Sequence, residues 1–201
     1  MIEKQSNPIL IMALTLALCA YFLPWVSHPS ASLTMGAYDL AEWLNLHPLT
    51  QPDRIPGLLL RSQLLLFTLV VAFWSAQPRF TKHWWVRMIG IMLLCIAQLP
   101  PPEFIEWTGD LNQRQQALLA IMSALGGTFG LAGFMKRYHQ QILYGICMIG
   151  IITTGYILVI LPKLMATFEL SKNQGLGGYM LIGVYVGMIF FIRQSNADKG
   201  I

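Results

Sequence analysis

The residues that could do chemistry in this chain are few, and their placement narrows the chemistry sharply. The four histidines, His28, His47, His83 and His139, all fall in loops or at the ends of apolar runs. A haem held across a helical bundle needs histidines facing inward from within helices, and none is placed that way. His28 and His47 share one side of the membrane in the topology derived below, but no neighbouring ligand spacing makes them a metal site. Cys19, Cys95 and Cys147 each lie inside an apolar run with no Cys-x-x-Cys. Zinc and thioredoxin-like readings therefore fail, and the thiols read as small hydrophobes. No Gly-x-Ser-x-Gly, His-Glu-x-x-His or phosphate-loop sequence occurs. No Asp or Glu falls in the core of an apolar run, where proton relays and ion-coupled carriers keep theirs because a charge in lipid is costly. The chain reads as non-enzymatic, with no catalytic or metal residues.

Two features remain. Arg61 lies about one turn inside an apolar run, flanked by Leu58, Leu59, Leu60, Leu64 and Leu65. It either snorkels to the headgroups or pairs with a lipid phosphate or an outer carboxylate such as Asp39, Glu42 or Asp53. Arg87 and Arg114, at helix starts, read as snorkelling. The second feature is glycine. Gly126, Gly127, Gly130 and Gly133 fall largely on one side of a helix, and Gly183-x-x-x-Gly187 repeats the small-xxx-small pattern of Gly126-x-x-x-Gly130. Small residues let backbones approach closely, and packing rather than the hydrophobic effect holds helices together in lipid. These faces serve the chain's own bundle, another subunit, or a flat ligand. No cofactor is firmly implied; carotenoid, chlorin, quinone and lipid are the contacts such faces admit.

The elements that position these residues follow from composition. Of 201 residues, 55% are hydrophobic and only 11% charged, less than half the charged share of soluble domains. The net charge of +4 is scattered over short loops rather than gathered in a tract, so it reads as a topology signal and not a nucleic-acid footprint. A spanning helix needs roughly 20 mainly apolar residues. Six segments qualify, at about 8–27, 57–76, 84–100, 115–135, 141–162 and 176–193, the third being the shortest. Lys4 before the first apolar run imitates a secretory leader, but the segment reads as the first spanning helix. Between the first two, Ala37, Leu40, Ala41 and Leu44 recur at one-face helical spacing against Asp39, Glu42 and Asn45. That predicts a short amphipathic surface helix at about 34–47, capped by Ser32 or Thr34 and ended by Pro48. The fold class is all-α: one domain, 1–201, of about six transmembrane helices plus this surface helix.

Charge orients the bundle. With the N-terminus inside, the inner segments hold Lys4, Arg79, Lys82, Arg87, Lys136, Arg137, Arg193 and Lys199, eight basic residues against five outside. The outer five are Arg54, Arg61, Arg114, Lys163 and Lys172. The excess places both termini in the cytoplasm. Trp25, Trp43, Trp74, Trp84, Trp85 and Trp107 all fall at predicted interfaces, where they read as membrane anchors. The outer loop Pro100-Pro101-Pro102-Glu103-Phe104-Ile105-Glu106-Trp107 is stiffened by proline and reads as a docking edge or a rigid turn. The halves share no Gly or Pro placement, so the inverted repeat of many transporters is missing.

Phe22-Leu23-Pro24-Trp25-Val26 followed by Tyr38-Asp39-Leu40-Ala41-Glu42-Trp43 resembles a pattern in uncharacterised small polytopic membrane proteins. These occur notably in green non-sulfur (filamentous phototrophic) bacteria and some Gram-positive lineages. The resemblance covers about thirty residues and carries no activity. It implies a bacterial plasma membrane and a lineage rich in photosynthetic and respiratory complexes. The expected function is a non-catalytic accessory subunit of a bioenergetic assembly, reaction-centre–light-harvesting or quinone-linked, with other integral membrane subunits and lipid as partners. The alternatives are a small-solute transporter or channel, with a path through Thr128, Thr153, Thr154 and Tyr156, and an assembly factor.

Overall fold

The computed structural model describes residues 6–27, 34–46, 54–74, 80–100, 111–167 and 174–197. His28, His47, Asp53, Trp107 and the proline-rich loop beyond Pro100 lie outside them. The architecture is all-helical, with one two-residue ribbon. In order come α1 (Ser6–Phe22), β1 (Val26–Ser27), β2 (Thr34–Met35), α2 (Ala37–Leu46), α3 (Ile55–Phe73) and α4 (Lys82–Ile96). Then follow α5 (Leu111–Ala132), a 3-10 turn (Lys136–Tyr138), α6 (His139–Thr167) and α7 (Gly177–Ala197).

Four of the helices are long and apolar enough to cross a membrane: α3, α5, α6 and α7 through Gln194. They mark the chain as a membrane protein. The remaining two expected spans are shorter. α1 has 17 residues and α4 has 15, and at 1.5 Å per residue α4 extends only about 22 Å against a hydrocarbon core of roughly 30 Å.

Local chemistry explains the boundaries. α1 stops at Phe22 because Pro24 has no N–H to donate and disfavours helix at the residue before it. The expected continuation to residue 27 is instead extended chain, with Val26 paired to Met35 and Ser27 to Thr34 in antiparallel register. Thr34 therefore lies in β2. α4 begins two residues before its expected start because the Thr81 hydroxyl accepts the amide of Trp84 at 3.3 Å, an N-cap bond. α5 ends three residues early, at a turn in which Gly133 takes φ 73° and returns its amide to Gly130. That left-handed conformation is costly for any side chain but glycine's. α2 buries Ala37, Leu40, Ala41 and Leu44 and exposes Asp39, as its spacing predicts, but Asn45, expected on the polar face, is buried as well and Glu42 is half-buried.

The chain divides into two compact bodies. One comprises Arg61–Ile146 with the residues up to Leu14, and holds most of α3, all of α4 and α5, and the start of α6. The other comprises Thr15–Leu60 and Cys147–Ile201, and holds the ribbon, α2, most of α6 and α7.

Candidate functional site

In the first body, α4 and α5 are inside-out by the standards of a soluble protein. The buried residues of α5 are Asn112, Gln116, Leu119, Ala120, Ser123 and Gly127, a single face at i, i+4, i+7, i+8, i+11 and i+15. Leu111, Leu118, Ile121, Met122, Leu125 and Phe129 are exposed. α4 buries Arg87, Ile91 and Leu94, with Gln98 just beyond its end, and exposes Trp85, Val86, Ile89, Met92, Leu93 and Ile96. Large apolar side chains outward and small or polar ones inward is the distribution lipid selects, because lipid solvates leucine and leaves polar groups to find partners within the protein.

The partners are specific. The Arg61 guanidinium donates to the side-chain carbonyl of Asn112 in the first turn of α5. Arg61 is 4% exposed, so its head lies inside the protein. About three turns deeper, the Ser123 hydroxyl donates to Gln98 Oε1 at 2.9 Å, and Gln98 Nε2 donates to the Leu94 carbonyl at 2.9 Å. Thr68 is fully buried and turns its hydroxyl back to Leu64 O. Arg87, expected to snorkel, is buried, whereas Arg114 is exposed.

The expected glycine faces separate into two kinds. On α5, a methyl group built at Gly126 would sit 2.6 Å from Leu69, at Gly127 2.6 Å from Ile91, and at Gly130 2.7 Å from Ala72 and 3.1 Å from the Phe73 ring. These three bring α3 and α4 against α5, and the face belongs to the chain's own bundle. Gly133 forms the turn after α5 and does not join that face. On α7, none of the described residues comes within 4 Å of the space a side chain would occupy at Gly183 or Gly187. Tyr179, Met180, Val186 and Phe190 are exposed on the same helix. At helical spacing they complete one face, a saddle of small residues with an aromatic ring at each end.

In the second body, the Leu-Pro-Trp-Val stretch has a purpose legible in its bonds. Pro24 cannot donate to the Ala20 carbonyl, and the Trp25 indole does so instead at 3.1 Å. Trp25 is fully buried; its backbone joins Met35 on one side and Gly175 on the other, and its ring lies against Gly177 and Gly178. It is thus an interior residue rather than a lipid-facing one. Trp74 is also buried, Trp43 and Trp84 are half-buried, and Trp85 is exposed. Trp84 and Trp85 meet edge to face at 5.0 Å beside Phe80. α6 repeats the proline device: Pro162 lies within the helix, and the Leu158 carbonyl that it leaves without an amide accepts Gln174 Nε2 at 2.8 Å.

The side chains expected to line a solute path are each accounted for locally. Thr128 and Thr153 bond back to their own helices, Tyr156 is exposed and Thr154 is fully buried. Among the described residues, no group of three or more His, Cys, Asp or Glu is placed to hold a metal ion. The buried row Asn112, Gln116 and Ser123, with Gln98, was not singled out from sequence. Its i, i+4, i+11 spacing was the available signal. Comparison with protein-family models, with curated proteins and with solved structures finds no match.

Proposed function

We propose that this chain is a non-catalytic accessory subunit of a larger membrane complex, packing against neighbouring integral subunits through α7. The observation that carries this reading is the open glycine saddle on α7. Gly183 and Gly187 have nothing within 4 Å among the described residues, while the equivalent glycines of α5 are already covered. In lipid, a bare small-residue face forgoes the close van der Waals packing that holds helices together. A helix, or a flat ligand shared with a neighbour, would restore it.

The bioenergetic setting, reaction-centre–light-harvesting or quinone-linked, and the bacterial plasma membrane rest on the resemblance of the Leu-Pro-Trp-Val and Tyr-Asp-Leu-Ala stretches. Six crossings with both termini cytoplasmic rest on the basic-residue count and on α4. The Gln98–Ser123 and Ile91–Gly127 contacts run α4 antiparallel to α5, and beyond the exposed Lys82 and His83 of its first turn its outward face is apolar.

The test is gentle purification through a C-terminal tag, with mass spectrometry and an absorption spectrum of what accompanies the chain. The reading expects stoichiometric integral membrane polypeptides, and pigment or haem absorbance if the assembly is photosynthetic or respiratory. A colourless protein arriving alone sinks it.

A small-solute transporter or channel is the second reading. It is favoured by the row of polar side chains inside the α3–α4–α5 bundle. Solute flux in liposomes holding only this protein separates the two.

A further inference from the structure

The end of α5 carries a built apolar notch. Gly133, at φ 73°, reverses the chain so that Phe134 stacks on Phe129, with ring centroids 5.1 Å apart and planes within 19°. Both rings are exposed. Together with Leu125, Gly126, Thr128 and Ala132 they line an open groove of about 540 Å³. Thr128 is the single polar side chain in that lining. Its hydroxyl donates to the Ala124 and Leu125 carbonyls at 2.8 and 3.0 Å, so its one proton is spent within the helix. A polar solute would lose its hydration here and gain at most a single acceptor. An apolar chain loses nothing.

A cation follows the groove closely in the chain. Arg137 lies three residues beyond Phe134 in the short 3-10 turn. It is exposed, with its guanidinium 5.9 Å from the centre of the Tyr138 ring, an arrangement that holds it in place without neutralising it. No acidic residue occurs anywhere between Leu111 and Thr167. That stretch therefore carries only positive charge, and guanidinium matches phosphate oxygens in geometry as well as charge.

We propose that this notch binds one anionic phospholipid, its acyl chain in the Phe129–Phe134 groove and its phosphate at Arg137. The groove opens on the outward face of a membrane-crossing helix, where lipid is the surrounding medium. The stacked rings stand at the helix end, where an acyl chain meets its headgroup. A zwitterionic lipid fits the groove equally well but brings a choline cation toward Arg137.

The experiment titrates the full-length protein in detergent with phosphatidylglycerol or phosphatidylcholine of identical acyl chains, counting bound lipid by native mass spectrometry. One phosphatidylglycerol should bind saturably per chain, more tightly than phosphatidylcholine. Arg137→Gln should weaken phosphatidylglycerol binding about fivefold, the effect of one surface cation on an anionic lipid, and weaken phosphatidylcholine, whose choline offsets its phosphate charge, by less. Ala132→Phe, which fills the groove, should abolish the saturable site for both. Phe134→Ala removes a ring that is 71% exposed and leaves the core untouched, so it tests the groove independently should the filled variant misfold. Equal binding of the two lipids, or undiminished phosphatidylglycerol binding in Phe134→Ala, would overturn the proposal and leave ordinary annular lipid.

Discussion

The side-chain amide of Gln174 donates to the backbone carbonyl of Leu158 at 2.8 Å, the carbonyl that Pro162 deprives of its helical partner. A proline inside a membrane helix leaves an unmet acceptor where no water can reach it, and a neighbouring side chain must answer it. Gln174 also pairs through its backbone with Val26 and accepts the Tyr179 hydroxyl. One residue thereby ties α6, β1 and the start of α7 together within the second body.

That relationship can be tested by a double-mutant cycle. Gln174→Leu should cost about 1–3 kcal/mol of stability in detergent, the penalty for stranding a buried acceptor. In a Pro162→Ala background the helix supplies its own amide, and the same change should cost much less. Equal costs in both backgrounds would show that the bond does not answer the proline.

Trp25 should be among the most sensitive positions in the second body. Trp25→Ala removes a fully buried indole and should cost about 3–5 kcal/mol. Trp25→Phe keeps most of the volume but loses the bond to Ala20, and should cost about 1–3 kcal/mol. Thermal unfolding followed by circular dichroism measures both.

Ser123→Ala should destabilise the first body by about 0.6–2 kcal/mol, the range for a side-chain hydrogen bond between membrane helices. Paired with Gln98→Leu, the two losses should be less than additive. Additive losses would mean that the hydroxyl and the amide act independently.

Glycines of the same motif should give different phenotypes. Gly130→Leu drives a side chain into Ala72 and Phe73 and should cost about 1–3 kcal/mol of the chain's own stability through overpacking. Gly187→Leu projects into open space, so it should leave unfolding unchanged while lowering the yield of the assembled complex. Normal yield from Gly187→Leu would remove the main support for the subunit reading.

The crossing of α4 decides the side on which every later loop lies. Single cysteines placed in a cysteine-free background at Phe80, Leu99 and Tyr138 should divide, with only Leu99→Cys labelled by an impermeant thiol reagent applied from outside intact cells. Labelling of Tyr138→Cys from outside would reverse the orientation of α6 and α7.

From the sequence alone, solvent and periodicity were legible. An 11% charged fraction cannot cover a water-facing surface of this size, so helices and a lipid environment followed. The i, i+3, i+4 spacing of Ala37, Leu40, Ala41 and Leu44 placed α2 and most of its buried face, whereas the expected helices ran straight through Pro24 and Gly133, where the chain in fact breaks. What the sequence could not determine was direction. Gly130 and Gly187 close two copies of the same small-xxx-small motif, and only tertiary structure turned one onto Ala72 and left the other open. Arg61 offered snorkelling or a charged partner with equal chemical sense, until folding brought Asn112 within reach from 51 residues away. Period and composition are local properties of the chain. Which face meets which neighbour depends on contacts between segments far apart in sequence, and in lipid, where leucine is at home on either side of a helix, hydrophobicity does not choose between them.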